Sequence, residues 1–220
     1  MLHAIPGRLA LAVAALIALA APGTAADEDP PWDILAFGDS LVQGYGLSEG
    51  KPFPAQLQQA LRAKGHDVRV TNAGSSGDTT EAGLNRLDWV LRERTDAVIV
   101  VLGANDALRG IDPAVTRRNM NKILATLSAK NLPTLLAGMK APRNMGRDYV
   151  ERFDAIYPEL AERHDPVFYP FFLKGVAQDP KLNQSDGIHP NAEGVRVIVE
   201  TMLPRVEKLL ARAKARAQES

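Results

Sequence analysis

A serine lies where the sequence predicts the end of a buried strand. Residues 33–37 (DILAF) form a short, mostly apolar run, and Gly38-Asp39-Ser40-Leu41 follows it directly. A serine at a strand-to-helix turn can present its hydroxyl to a substrate, and a flanking glycine permits the tight backbone. Taken alone, a serine in this position more often caps a helix than attacks a substrate. Ser40 is therefore a candidate nucleophile that requires a base nearby.

An aspartate and a histidine close to the C-terminus can supply that base. In Asp186-Gly187-Ile188-His189-Pro190 the carboxylate precedes the imidazole by three residues and can accept its Nδ1–H. This bond leaves Nε2 as the base, while Gly187 permits the bend and Pro190 favours extended backbone at His189. An Asp–His pair also suits a metal ion, but no other cluster of His, Asp or Glu at ligand spacing joins it, and no HExxH motif is present. The pattern favours acid–base chemistry and predicts no metal site.

Two further polar clusters follow predicted strands and can bind a developing negative charge. In Gly77-Asp78-Thr79, the backbone N–H of Gly77 could face a ligand. In Gly103-Ala104-Asn105-Asp106, the side-chain amide of Asn105 could donate into a pocket. Glycines and Asn-Asp pairs are also ordinary turn and cap residues. Neither cluster is specific by itself.

The elements that position these clusters alternate between short strands and amphipathic helices. Apolar runs predict strands at 33–37, 68–70, 97–102, 134–139 and 167–169. Helical spacing predicts helices at 53–64, 79–94, 113–130, 147–164 and 191–215. Asp112 and Pro113 are expected as the N-cap and first residue of the third helix. The apolar face of the second is expected to comprise Leu84, Leu87, Trp89, Val90 and Leu91. This β–α repetition predicts a doubly wound parallel sheet with reactive loops at the carboxyl ends of its strands.

The composition is that of one globular domain and excludes several classes of function. The 26 Lys and Arg residues balance the 26 Asp and Glu residues, so no basic surface for nucleic acid is expected. The chain contains no cysteine, which excludes disulfides, thiolate nucleophiles and Cys-ligated metal centres. No repeat or linker divides residues 27–220, which we expect to form a single, monomeric domain.

The N-terminus has the order of a secretory signal. A positively charged start containing Arg8 precedes thirteen apolar residues at 9–21, and Thr24-Ala25-Ala26 supplies small residues for cleavage. A membrane-spanning helix needs about 20 apolar residues, so this stretch is too short for a good anchor. We expect residues 1–26 to be a signal peptide and the protein to be exported to the periplasm or beyond, without stable membrane insertion afterwards. An uncleaved, Ala-rich interfacial helix is the alternative.

Together, the four clusters resemble the conserved blocks of the SGNH hydrolases, also called the GDSL lipase/esterase family. Gly38-Asp39-Ser40-Leu41, Gly77, Gly103-x-Asn105-Asp106 and Asp186-x-x-His189 occur in that family's order and span almost all of residues 27–220. Further stretches are similar to the secreted bacterial subgroup of thioesterase/lysophospholipase and arylesterases: Val70-Thr71-Asn72-Ala73, Leu108-Arg109-Gly110, Ala155-Ile156-Tyr157-Pro158 and residues 186–191. The resemblance implies a flavodoxin-like, three-layer α/β/α fold with a five-stranded parallel sheet.

The resemblance also implies a role for each residue in the four clusters. Ser40 would be the nucleophile, His189 its general base and later general acid, and Asp186 the carboxylate that orients the imidazole. The oxyanion hole would consist of the backbone N–H groups of Ser40 and Gly77 and the side-chain amide of Asn105. No cofactor and no metal are implied.

Apolar residues in the loops after the third and fourth strands are candidates for binding an acyl chain. They are Leu108, Ile111, Met139, Ala141, Pro142 and Met145. Methionine adapts to irregular apolar shapes and Ala141 is small, so tolerance of short and medium acyl chains is expected. An equally good interpretation is that Leu108 and Ile111 pin their loop to the core.

These observations predict an exported, metal-independent serine esterase that forms an acyl-enzyme. Its expected substrates are carboxylic esters, aryl esters included, and acyl thioesters or lysophospholipids. The first alternative is a carbohydrate O-deacetylase of the same family. The second, from another class, is a non-catalytic flavodoxin-like binding module, which the presence of every catalytic residue type disfavours.

Overall fold

The computed structural model describes residues 1–3, 30–91 and 94–219. The predicted signal peptide at 1–26 falls almost entirely outside these ranges. Pro31–Ser220 forms one compact unit and Met1–Pro30 forms another. Within the described residues of the larger unit, the helices and strands lie between Trp32 and Glu219.

Five parallel strands form a single sheet in the order β2-β1-β3-β4-β5. The strands are β1 (Trp32–Gly38), β2 (Val68–Gly74), β3 (Ala97–Val101), β4 (Thr134–Ala137) and β5 (Val167–Tyr169). Every residue of β3 is buried, as expected of a continuous apolar run covered on both faces. The order is that of the flavodoxin-like doubly wound sheets. The predicted fold class is confirmed.

Helices cover the sheet in two groups. They are α1 (Ser40–Gln43), α2 (Phe53–Ala63), α3 (Thr80–Val90), α4 (Ala104–Leu108), α5 (Pro113–Ala129), α6 (Arg147–Asp154), α7 (Ile156–His164) and α8 (Ala192–Glu219). Helix α8 packs beside α2, whereas α5 packs between α3 and α7. The two groups give the outer layers of a three-layer α/β/α arrangement.

Strand β2 is longer than its apolar residues predict. The predicted strand covers residues 68–70, but Thr71 and Asn72 also pair with Leu35 and Ala36 of β1, and the pairing continues to Gly74. An edge strand with an exposed face tolerates polar side chains, since only its inward residues need be apolar. The extension brings the end of β2 level with Gly38 at the end of β1.

Helix α3 ends earlier than predicted, at Val90, and its expected apolar face is wrong at one residue. Trp89 is 87% exposed, whereas Leu87 is buried. At about 100° per residue, Trp89 lies roughly 140° around the helix from Leu84 and so faces away from the core. Helical periodicity by itself therefore places Trp89 on a different face of the helix from its apolar neighbours.

The helix predicted at 147–164 is two helices that meet at Ala155. In a continuous helix the N–H of Pro158 would donate to the carbonyl of Asp154, but proline has no such proton. The predicted N-cap of α5 is confirmed, because Asp112 accepts a hydrogen bond from the Ala114 N–H at 2.9 Å. Asn191 caps α8, accepting from the N–H groups of Glu193 and Gly194 at 3.0 Å each.

Candidate active site

Ser40 is the first residue of α1, immediately beyond the end of β1. The helix is capped by Asp39, whose fully buried carboxylate accepts the Leu41 N–H at 3.0 Å. The Ser40 hydroxyl is therefore not the cap. A Cβ at Gly38 would collide with the Val42 side chain and with a backbone carbonyl of β3, so the turn needs glycine there. The local fold leaves the Ser40 hydroxyl for another partner.

That partner is His189, and Asp186 completes a chain of hydrogen bonds. His189 Nε2 lies 2.9 Å from Ser40 Oγ. His189 Nδ1 lies 2.7 Å from Asp186 Oδ2. The second oxygen, Asp186 Oδ1, accepts the backbone N–H groups of Ile188 and His189 at 3.0 Å each. Nδ1–H donation to the carboxylate leaves Nε2 able to accept the Ser40 proton.

The carboxylate of Asp186 is strongly favoured in its ionised form. Burial by itself would raise its pKa, but the hydrogen bonds from the His189 ring and from the two backbone N–H groups outweigh burial. The net effect lowers the pKa of Asp186 to about 2. The group is thus an anion under ordinary conditions and can stabilise a protonated imidazole.

Asn105 lies in the first turn of α4, just beyond β3. Its Nδ2 donates to the carbonyl of Asp78 at 2.9 Å and lies 3.5 Å from a carboxylate oxygen of Asp39. The amide has two protons, and the second contact is long, so one proton remains for a ligand in the neighbouring cleft. Gly103, with φ of 109°, begins α4, and a Cβ there would collide with the Tyr157 hydroxyl.

Gly77 lies in the loop after β2, on the same edge of the sheet, in an exposed turn with φ of 83°. Arg109 Nη2 donates to the Gly77 carbonyl at 2.8 Å and joins this turn to the end of α4. Gly77 is not among the described residues that line the cleft next to Ser40. The structure therefore brings Ser40, His189 and Asn105 to one cleft, whereas Gly77 is outside the described lining of that cleft.

Two buried carboxylates support the site and were not singled out by their sequence positions. Burial raises the pKa of Asp39 to about 7, although the Leu41 N–H and the charge of His189 oppose the rise. Asp106 accepts hydrogen bonds from the Thr80 N–H at 2.8 Å, from the Thr80 hydroxyl at 2.5 Å and from the Thr116 hydroxyl at 3.0 Å. The sequence motifs could have identified both carboxylates, because each aspartate is adjacent to a predicted site residue.

An arginine on α3 also supports the site, although it belongs to none of the sequence motifs. Arg86 donates through Nε to Asp78 at 2.6 Å and through Nη2 to the Gly38 carbonyl at 2.8 Å. Its guanidinium lies 4.6 Å from the centre of the Phe37 ring. Arg86 thereby ties the loop after β2 to the end of β1, beside Ser40.

A cleft of about 450 Å³ opens beside Ser40, Asn105 and His189. Of the predicted acyl-binding residues, Leu108, Met139, Ala141 and Pro142 line it. Ile111 and Met145 are not among its described lining residues. Ile111 is partly buried and its carbonyl accepts the Tyr149 hydroxyl, whereas Met145 Cε lies beside Gly110.

The sequence pattern does not mark the opposite wall of the cleft. It is formed by residues between β5 and α8: Phe171, Leu173, Ala177, Gln178 and Ile188. This segment lacks the periodicity of a helix or strand, so only its place in the fold marks it. A second cavity, of about 520 Å³, lies at the opposite edge of the sheet, near the amino ends of β4 and β5. Its described lining contains none of the predicted site residues.

Within residues 1–3, 30–91 and 94–219, no group of three or more His, Asp or Glu side chains is arranged to hold a metal ion. No helix within those same ranges is long and apolar enough to cross a membrane.

The chain is similar to known bacterial esterases along most of its length. It is 39% identical over 178 residues to Thioesterase 1/protease 1/lysophospholipase L1 of Escherichia coli (strain K12), covering 80% of this chain and 84% of that protein. It is 38% identical over 178 residues to an arylesterase of Vibrio mimicus, covering 80% of this chain and 89% of that protein.

The similarity extends to a solved structure and to a family model. The crystal structure of AlinE4, an SGNH-hydrolase family esterase, matches with a TM-score of 0.70 at 47% identity, covering 83% of this chain and 98% of that chain. AlinE4 has also been solved with a serine or an aspartate replaced by alanine. A family model described as GDSL-like Lipase/Acylhydrolase matches residues 36–197. The chain therefore belongs to the GDSL-like lipase/acylhydrolase family, the SGNH hydrolases.

Proposed function

We propose that this protein hydrolyses carboxylic esters, and acyl thioesters or lysophospholipids, through an acyl-enzyme formed on Ser40. The observation that carries the proposal is the hydrogen-bond chain from Asp186 through His189 to Ser40 Oγ. The names of the relatives, which include thioesterase, lysophospholipase and arylesterase, support these substrate classes.

In the first half of the reaction, Ser40 Oγ attacks the substrate carbonyl carbon while His189 Nε2 takes the hydroxyl proton. The carbonyl oxygen becomes an oxyanion, which receives hydrogen bonds from the Asn105 amide and from the backbone N–H groups of Ser40 and Gly77. Each such donor is worth about 2.7–4 kcal/mol in the transition state. The bond to the leaving group then breaks, and His189 passes its proton to the departing alkoxide or thiolate.

In the second half, water takes the place of the leaving group. His189 removes a proton from the water, whose oxygen attacks the acyl carbon on Ser40. The Ser40 ester bond breaks, the proton returns to Ser40 Oγ, and the carboxylic acid departs. Asp186 remains ionised throughout and stabilises each imidazolium that forms.

The deciding experiment compares the wild type with Ser40→Ala. We expect turnover of p-nitrophenyl butyrate to fall by several orders of magnitude, because the members of such a unit act together. The circular dichroism spectrum and unfolding midpoint should stay close to wild type, since Asp39 and not Ser40 caps α1. A fluorophosphonate should label the wild type and not the variant. Near-wild-type turnover by folded Ser40→Ala would refute the mechanism, and an unlabelled wild type would favour the binding module.

We infer that the acyl chain lies against Leu108, Met139, Ala141 and Pro142. Met139 and Ala141 are each 3% exposed, so they can provide a preformed apolar surface. Each additional buried CH₂ contributes at most about 0.8 kcal/mol, so selectivity should rise gradually with chain length. Ile111 and Met145 remain candidates only if the loop containing Gly110 moves.

The acyl site is tested with p-nitrophenyl esters from acetate to palmitate. Ala141→Phe should lower kcat/KM for the longer esters more than for acetate, because the ring occupies the space of the chain. If the wild type accepts only acetate and Ala141→Phe leaves the profile unchanged, no acyl groove exists here. The carbohydrate O-deacetylase would then be favoured.

We also infer that residues 1–26 direct export to the periplasm or beyond and that residues 27–220 act as a monomer. The charge and apolar pattern of residues 1–26 supports the first inference. N-terminal sequencing of the exported protein, together with its molar mass in solution, tests both.

A further inference from the structure

Tyr45 is an exposed aromatic residue that nevertheless contacts the histidine of the site. Its side chain is 54% exposed. Its ring centre lies 4.8 Å from that of His189, with the two planes tilted by 38°. This separation is within the range at which aromatic rings attract each other. An exposed aromatic ring is unfavourable because it leaves apolar surface in water. The contact of this ring with His189 therefore requires an explanation.

Gln184 joins the Tyr45 segment to the His189 segment through both protons of its amide. Gln184 Nε2 donates to the Tyr45 carbonyl at 2.8 Å and to the Pro190 carbonyl at 3.1 Å. Its backbone N–H donates to the His189 carbonyl at 2.8 Å. A Cβ at Gly46 would collide with the Gln184 side chain, so the two segments are in close contact.

The same connection reaches Ser40. Tyr45 follows the end of α1, and its N–H donates to the carbonyl of Ser40, the first residue of that helix, at 3.2 Å. A path of contacts therefore runs from Ser40 through Tyr45 and Gln184 to His189, in parallel with the bond between Ser40 Oγ and His189 Nε2. Ser40 and His189 are 149 residues apart in the sequence, and this path fixes one segment against the other.

Asp186 alone does not fix the imidazole. The ring can still turn about its Cβ–Cγ bond within the angular tolerance of the Nδ1 hydrogen bond, and such a turn moves Nε2 relative to Ser40 Oγ. The Tyr45 ring covers one face of the imidazole and opposes this rotation. The face of a tyrosine ring also attracts a cation, so it favours the imidazolium that forms during turnover.

We propose that Tyr45 and Gln184 are positioning residues that hold the His189 imidazole at the distance and tilt needed to take the Ser40 proton. The proposal rests on the proposed function, because it assigns these residues a role only if His189 is the base.

The first test compares Tyr45→Leu and Tyr45→Phe with a control variant, Trp89→Leu. The control removes a different exposed aromatic ring, which lies on α3. Tyr45→Leu should lower kcat for p-nitrophenyl butyrate about three- to tenfold, with KM within about twofold of wild type. Tyr45→Phe keeps the ring and should keep the wild-type values. Trp89→Leu should also be unchanged.

The pH profile provides a readout that a merely structural role would not move. In Tyr45→Leu the acidic limb of kcat/KM should shift to lower pH, because the imidazolium loses the ring that stabilises it. The titratable groups acting on His189, which are Asp186 and Asp39, are the same in every variant. Tyr45→Phe should keep the wild-type midpoint.

The second test removes the two amide protons with Gln184→Met. We expect kcat to fall about three- to tenfold with little change in KM. In Tyr45→Leu/Gln184→Met the combined loss should be smaller than the product of the single losses, because both residues act on one ring. A fully multiplicative loss would overturn the shared role.

Wild-type kcat and wild-type acidic midpoint in Tyr45→Leu would overturn the proposal. An equal loss in Tyr45→Phe, or in Trp89→Leu, would overturn it as well. Ser40→Ala separates this failure from that of the proposed function. An inactive Ser40→Ala beside a fully active Tyr45→Leu rejects only the positioning role, whereas an active Ser40→Ala rejects the function on which it rests.

Discussion

The two halves of the site are held in different ways. Ser40 follows a buried strand and begins a helix, and its neighbours Asp39 and Val42 are fully buried. Asp186 and His189 instead belong to the irregular segment between β5 and α8, where the described pairing is a single isolated bridge between Asn183 and Pro190. The nucleophile is thus fixed by the sheet, and the histidine is fixed by a loop.

Side-chain amides replace the missing backbone ladder in that loop. Asn183 Nδ2 donates to the carbonyls of Val176 and Asp179 at 2.7 and 2.8 Å. Asn191 Nδ2 donates to the carbonyl of Lys181 at 2.8 Å. Buried carbonyls must find donors, and here a few amides supply them. Single polar substitutions should therefore disturb the histidine half locally, whereas the nucleophile half responds through the stability of the whole fold.

The largest effect is expected from breaking the bond that orients His189. Asp186→Asn would present an amide N–H or a neutral oxygen to Nδ1 and so favour the wrong tautomer. We expect kcat to fall about 10⁴-fold with little change in stability. The control is Asp179→Asn in the same segment, whose Oδ1 accepts the Lys181 N–H, a bond that an asparagine oxygen can keep. Near-wild-type turnover of Asp186→Asn would contradict the orienting role.

In the nucleophile half, a buried carboxyl group should make the free energy of unfolding depend on pH. The pKa of Asp39 is raised to about 7, because burial penalises the carboxylate. The folded state therefore holds its proton while the unfolded state releases it near pH 3.8. Below that pH, Asp39 makes its full contribution to the free energy of unfolding. This contribution, on the order of a few kcal/mol, is lost as the pH rises toward about 7.

Asp39→Asn tests this expectation, since asparagine can still cap α1 but does not ionise. Between about pH 4 and about pH 8, the free energy of unfolding of the wild type should fall relative to that of the variant. Urea unfolding at several pH values measures the difference. Parallel pH curves for the two proteins would contradict a raised pKa at Asp39.

The smallest effect is expected at the amide that holds the histidine loop. Asn183 is 7% exposed, and Asn183→Ala would leave two carbonyls without their donor. The free energy of unfolding should fall by about 1–3 kcal/mol. Turnover should fall as well, because the loop carries His189. The exposed Asn144 provides the control, since Asn144→Ala should change stability by no more than about 0.5 kcal/mol. Unchanged turnover in a destabilised Asn183→Ala would show that the loop's amides do not govern His189.

The regular elements of the fold could be predicted because each is specified locally. The apolar run of β3 and the Asp112-Pro113 start of α5 depend on burial and on capping, which act within a few residues. Trp89 was misassigned for a local reason too, since an exact angular count places it opposite the core. The division of residues 147–164 at Ala155 likewise follows from Pro158.

The sequence by itself determined the strand–helix order, the parallel sheet and the residue types at its carboxyl edge, because periodicity and short motifs encode them. Only the tertiary structure decided which side chains meet there. It placed Asp39 rather than Ser40 as the cap, left Ile111 and Met145 away from the cleft, and built the far wall from the loop after β5. It also brought Tyr45 against Gln184 and His189, which lie 139 or more residues away from it in the sequence. Such contacts carry no local pattern, since they depend on the sheet that brings distant segments to one edge.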